Sequence, residues 1–199
     1  MDEAQILDAV MKLGVLVFSL CLHEFGHAYA AYRLGDPTGK MLGRMTIDPR
    51  AHVDPLGTIL FPLLMFLNPG FFLFGWAKPV PVTVENFNKP RRDGALVALA
   101  GPFMNVLLAL LSLGFLVLLE NFPVGGDEAT LVTLGNLIRF FIYMNLTLAL
   151  FNLVPVYPLD GSWILKSILP PKWSYQVSRL DRYGAIILFA FFFLLRYFF

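Results

Sequence analysis

The residues best equipped for chemistry stand in the run His23-Glu24-Phe25-Gly26-His27, an H-E-x-x-H pattern inside a long apolar stretch. On a helix the i, i+4 spacing puts both imidazoles on one face, about one turn apart. There they can share a tetrahedral zinc ion, with Glu24 beside the metal as a base. So short a pattern also arises by chance, and its alternative is two polar side chains lining a helix contact. The apolar setting weighs against chance, because ionisable groups left unpaired in a membrane cost several kcal/mol and mark functional sites by default.

The elements that would carry these residues follow from composition. Of 199 residues, 57% are hydrophobic and 15% are charged, against roughly 25% charged in soluble domains. Twenty Phe residues exceed what one small core can bury, so a lipid-facing exterior is expected. A formal charge of +1 excludes a global attraction to nucleic acid. The single Cys21 cannot form an intramolecular disulfide and falls in an apolar run.

Four segments reach bilayer-spanning length, residues 6–32, 94–119, 133–154 and the somewhat short 183–199. A fifth apolar stretch, 56–75, contains Pro62 and is interrupted by Asn68-Pro69-Gly70. The N-terminus lacks the basic region and cleavage-like site of a secretory signal, so it is expected to be retained. The fold class expected is an all-α polytopic membrane protein, with a three-helix core plus a C-terminal helix. Residues 36–50 suggest short strands joined by turns, and 77–84 an edge strand that tolerates proline. No repeat or second soluble domain is visible, so one domain over residues 1–199 is expected.

Basic residues assign the sides of the membrane, since Lys and Arg collect in cytoplasmic loops. Twelve of the fifteen lie in three loops: Arg33, Lys40, Arg44 and Arg50; Lys78, Lys89, Arg91 and Arg92; Lys166, Lys172, Arg179 and Arg182. The loop around 120–130 carries Glu120, Asp127 and Glu128 with no Lys or Arg. For the first two basic loops to share a side, 56–75 must enter and leave from that side as a re-entrant segment. His27 lies six residues before Arg33, which puts a metal roughly 9–15 Å below the cytoplasmic surface.

A zinc ion that keeps a position open for water needs a third protein ligand. Asp160 follows the 133–154 span in an apolar run broken by Pro155 and Pro158, and arrives from the same side as the histidines. Its alternative role is to cap a short helix over 161–169. His52 competes for the ligand role from a more polar loop.

Beyond the first motif, Asn152, Pro155, Leu159, Asp160 and Gly161 form N-x-x-P-x-x-x-L-D-G. With both motifs the chain resembles the site-2 protease family of intramembrane zinc metalloproteases. Gly101-Pro102-Phe103-Met104-Asn105, Asp54-Pro55-Leu56-Gly57-Thr58 and Gly75-Trp76-Ala77-Lys78-Pro79-Val80-Pro81-Val82 resemble its small bacterial members, and the likeness covers most of residues 20–165. The resemblance implies one zinc ion held by His23, His27 and Asp160, Glu24 as catalytic base, and Asn152 binding substrate or polarising its carbonyl. It implies hydrolysis of peptide bonds in or near transmembrane segments of membrane proteins, in a bacterial cell membrane, with the site nearer the cytoplasm. Asn152 has an alternative role in satisfying backbone freed by Pro155. Asn105 and Asn145 are expected to be helix-packing hydrogen bonders. No PDZ-like insertion, nucleotide-sensing domain or span before the motif helix is expected.

Two other functions use similar residues. A metal-ion transporter also places His and Asp in helices, but needs a polar path to both sides, whereas the polar groups here gather near one. A non-proteolytic scaffold would not be expected to keep His23, Glu24, His27 and Asp160 together.

Overall fold

A computed structural model describes residues 3–68, 75–122, 125 and 127–198. Helix α1 (Glu3–Arg33) is followed by two single-turn helices, α2 (Thr38–Met41) and α3 (Pro49–His52). A π-helical turn over Pro55–Leu60 runs into α4 (Phe61–Leu67), and an extended strap over residues 75–83 leads through Val84–Asn86 into α5 (Pro90–Asn121). Then come α6 (Glu128–Asn152), α7 (Asp160–Ile168), α8 (Pro171–Ser178) and α9 (Gly184–Phe198). Among the described residues, α1, α5 and α6 are long and apolar enough to cross a membrane.

Local chemistry sets the helix starts. Pro90 occupies the first turn of α5, where a missing N–H costs nothing, and Asp93 accepts from the Lys89 N–H at 2.9 Å. Asp127 caps α6 by accepting from the Thr130 N–H at 2.9 Å. Helix α5 packs against both α1 and α6 and carries α7 on its flank. Small residues make the contacts close: Ala28, Ala98, Ala109 and Ala149 are buried, while Phe103, Leu110, Leu111 and Phe115 are exposed on the outer face of α5. A Cβ on Gly26 would come within 2.8 Å of the Ala100 carbonyl and 2.6 Å of Met104 Cγ. Glycine there lets α1 and α5 touch beside the H-E-x-x-H turn.

Several sequence expectations change. The described residues contain no strand. In 36–50, Asp48 accepts from the Arg50 N–H and Pro49 takes the first helical position, so the segment winds into α3. The 77–84 segment is extended, yet Pro79 and Pro81 have no N–H to give a ladder, and the Lys78 N–H goes to the His52 carbonyl at 2.8 Å. A re-entrant path for 56–75 is not what the described residues show: Pro55–Leu67 is a short apolar helical stretch, part of which packs on α1. Residues 69–74 lie outside the described residues. The expected fourth span, 183–199, is the 15-residue α9, below the length of about 20 residues that crosses a bilayer.

One buried carboxylate ties the end of α1 to the strap. Asp36 is fully buried. Its Oδ1 accepts from the Thr38 N–H, the Thr38 hydroxyl and Asn86 Nδ2, and its Oδ2 accepts from the Thr83 N–H at 2.8 Å. Burial by itself pushes this carboxyl up, but the bonds from Thr38, Asn86 and Thr83 outweigh it and hold the carboxyl below its ordinary value. A depressed folded-state pKa stabilises fully above the unfolded value of about 3.9, and that contribution is lost as pH falls through the folded value. Asp36→Ala should therefore lower unfolding free energy by about 3 kcal/mol at pH 7. In thermal unfolding in detergent, the gap to wild type should shrink below about pH 4; a gap that does not change with pH would contradict this account.

Candidate metal centre

The i, i+4 spacing on α1 stacks His23 over His27, with ring centroids 4.6 Å apart and planes at 85°. Both are buried. Their Nε2 atoms lie 3.0 Å apart. Asp160, the first residue of α7, completes a triangle: its Oδ2 is 3.2 Å from His23 Nε2 and its Oδ1 3.3 Å from His27 Nε2. Among the described residues this is the group of histidine and carboxylate side chains arranged as metal ligands. Asp160 does not cap α7, since no side chain caps that helix. His52 lies apart, with its Nε2 facing the Thr46 carbonyl at 2.8 Å.

The outer nitrogens decide what the triangle can hold. His27 Nδ1 lies 2.7 Å from the Val97 carbonyl. A carbonyl only accepts, so the proton is on Nδ1, and in the neutral imidazole the lone pair is on Nε2. His23 Nδ1 lies 2.6 Å from Asn105 Oδ1, with the same consequence. Two lone pairs then face each other across 3.0 Å, and Asp160 Oδ2 has no hydrogen-bond donor. Three converging acceptors repel one another unless a cation sits among them. Tetrahedral zinc with bonds of about 2.0–2.2 Å spaces its ligand atoms at roughly 3.3 Å, close to the edges observed. The residues present fit zinc.

Glu24 is also buried, and its Oε2 accepts from the Val80 N–H of the strap at 2.9 Å. The site opens into a cavity of about 530 Å³, lined in part by Val80, Asn152, Asp160 and Trp163. Asn152 Nδ2 donates to the Leu148 carbonyl at 2.9 Å, one helical turn back. The carbonyl four residues before Pro155, that of Phe151, accepts instead from the Val154 N–H at 3.1 Å.

Thus the structure brings together His23, Glu24, His27 and Asp160, with Asn152 on the same cavity, and leaves His52 out. One side chain has a second partner, and two main-chain contributors went unrecognised in the sequence. Asn105, expected to pack helices, touches His23. The Val97 carbonyl and the Val80 N–H are main-chain groups without a residue-type signal, although prolines on both sides of Val80 mark it as the lone donor between them.

Gly101 lets α5 approach the histidines: a Cβ there would fall 2.6 Å from both Cε1 and Nε2 of His23, and against His27 Nε2. Gly114, on the same helix, has open space around it. Gly101→Ala should therefore lose bound zinc and destabilise the fold by about 1–3 kcal/mol, while Gly114→Ala keeps one zinc per chain. Metal analysis of the two purified variants checks this, and full zinc in Gly101→Ala would contradict the packing.

Comparison with known proteins points the same way. The model of Peptidase family M50 matches residues 11–126 and 123–195. YwhC of Bacillus subtilis is 40% identical over 177 residues, which is 89% of this chain and 77% of that protein. Rip2 of Mycobacterium tuberculosis is 32% identical over 183 residues, covering 92% of this chain and 66% of that protein. MJ0392 of Methanocaldococcus jannaschii is 27% identical over 168 residues, or 83% and 37% of the two chains. All three carry the words zinc metalloprotease in their names. No solved structure matches the chain. With a family model along nearly its whole length and a relative at 40% identity, the chain belongs to peptidase family M50, the site-2 proteases.

Proposed function

We propose that residues 1–199 form one intramembrane endopeptidase domain in which His23, His27 and Asp160 hold zinc, Glu24 is the general base and Asn152 binds substrate. The observation that carries this reading is the triangle of acceptors, each about 3 Å from the next, with a second carboxylate beside it in a cavity among apolar helices. When bound there, zinc supplies Lewis-acid activation of water and of the scissile carbonyl. The remaining steps belong to the protein.

Glu24 takes the proton of the attacking water and passes it to the leaving amine nitrogen, the general acid–base role of a carboxylate beside the metal. The Val80 N–H holds Oε2, which orients the carboxylate and leaves Oε1 as the proton acceptor. The buried setting keeps bulk water from competing for that proton. A transmembrane helix must unwind before cleavage, because each of its carbonyls is already hydrogen-bonded. Asn152, on the cavity wall, would then hold a freed carbonyl of the extended substrate.

The three span-length helices make the chain a multi-pass membrane protein. The twelve basic loop residues support a bacterial inner membrane orientation with the site nearer the cytoplasm. The transporter and scaffold alternatives find no favour in family membership. Glu24→Gln should keep one zinc per chain and lose at least ~10³-fold in turnover, within the range of general-base loss. In native membranes, proteins cut by the wild type should accumulate uncut and in complex with the variant, as read by quantitative membrane proteomics. Undiminished fragment release by Glu24→Gln would overturn the role of Glu24.

A further inference from the structure

A chain of buried amides runs from the metal centre through all three span-length helices. Asn105 on α5, Asn145 on α6 and Ser19 on α1 are each 0% exposed. Asn105 Oδ1 meets His23 Nδ1, Asn105 Nδ2 donates to Asn145 Oδ1 at 2.9 Å, and Asn145 Nδ2 donates to Ser19 Oγ at 2.9 Å. The Ser19 hydroxyl donates to the Val15 carbonyl at 2.8 Å.

The direction of this chain is not free. Reversing both amides would turn every bond around and ask His23 Nδ1 to accept, which moves its proton to Nε2, where the metal belongs. Main-chain carbonyls forbid the reversal, one of them that of Ser19, to which Asn105 Nδ2 donates at 3.5 Å. Asn145 Nδ2 also donates to the Phe141 carbonyl at 2.9 Å. A flipped Asn145 would set oxygen against oxygen there. With Asn145 Nδ2 pinned, its Oδ1 must face Asn105, so Asn105 must offer Nδ2 to it and Oδ1 to His23. His23 Nδ1 must then carry the proton, and Nε2 must present a lone pair to the triangle.

We propose that Asn105, held in one orientation by Asn145 and the Phe141 carbonyl, is a positioning residue that fixes the tautomer and ring angle of His23 for zinc. The inference rests on His23 being a zinc ligand. It goes beyond packing: a pair of amides that only joined helices would work equally well in either direction, and the anchored direction suits a metal ligand. His27 takes its orientation from the Val97 carbonyl, which cannot flip. His23 has no main-chain acceptor at that position, so a side-chain amide with an anchored partner serves instead.

The test compares Asn105→Leu, Asn145→Leu, the double variant, Ser19→Ala and His23→Ala, purified in detergent. Zinc affinity is measured by chelator competition, and the tautomer of the metal-free protein by nitrogen NMR of labelled histidine. Asn105→Leu should bind zinc 10–100-fold more weakly and lose the Nδ1-protonated signal of His23. Asn145→Leu should weaken zinc less. The double variant should bind zinc no worse than Asn105→Leu, because Asn145 acts through Asn105. Ser19→Ala keeps the Phe141 anchor, so its zinc affinity should stay within about twofold; it also supplies a folded comparison if an asparagine variant fails to fold, and a loss tenfold or larger there would overturn the anchor argument. Wild-type zinc affinity in a folded Asn105→Leu, with zinc lost in His23→Ala, would overturn the positioning role alone. Zinc retained at wild-type affinity in His23→Ala would instead overturn the ligand assignment beneath it.

Discussion

Three lone pairs brought within about 3.3 Å of one another, in a buried setting, are an electrostatic penalty that a bound cation relieves. Much of the remaining architecture serves to hold that arrangement. Each imidazole is fixed from behind, His27 by a main-chain carbonyl of α5 and His23 by Asn105. Asp160 is placed at the first residue of α7, where the backbone is starting a helix rather than finishing one, so its carboxylate can turn toward α1 without giving up a cap. Gly101 supplies the open space between them. Ligands locked in this way would leave little reorganisation to oppose a metal.

The strap over 75–83 completes the site without secondary structure of its own. Its N–H groups are spent one by one on unrelated partners: Trp76 on the Gly57 carbonyl, Lys78 on the His52 carbonyl, Val80 on Glu24 and Thr83 on Asp36. Pro79 and Pro81 remove the donors on either side of Val80. The Thr58 hydroxyl holds the Trp76 carbonyl at 2.7 Å. A segment fixed at so many separate points can hold an extended backbone next to the Glu24 carboxylate while leaving the cavity open.

The sequence was informative where one residue type at one spacing has one physical use. The H-E-x-x-H turn and the long apolar runs are of that kind, and α1, α5 and α6 appear within a few residues of their expected bounds. Asp160 was less legible: spacing left it between ligand, cap and the rival His52, and only the resemblance to a known family separated them. The segments 36–50 and 77–84 misled because Gly and Pro punctuate turns between strands and turns between short helices alike. Asp48 capping α3 and Asp36 gathering Thr38, Asn86 and Thr83 are long-range or side-chain effects that hydrophobic periodicity does not encode. Asn105 packs helices as expected, bonding Asn145 between α5 and α6, and it also meets His23. An asparagine in an apolar span signals a buried partner, and nothing along the chain says that the partner is His23, 82 positions away.

That overlap between packing and chemistry has a physical origin. Only 33% of the apolar window of α1 and 22% of those of α5 and α6 are buried within the protein, which leaves much of their apolar surface to face lipid. Lipid tails are as apolar as leucine, and exchanging one for the other gives little driving force. What remains to hold the helices together is close contact between small residues and hydrogen bonds between buried polar groups. In this chain both lie at the metal centre: Gly26 and Gly101 flank the histidines, and Ser19, Asn105 and Asn145 extend from His23 across the bundle. The groups that orient the chemistry are therefore also the groups that specify the helix register. A substitution there alters both at once, while the leucine-rich outer faces can vary with little effect on either.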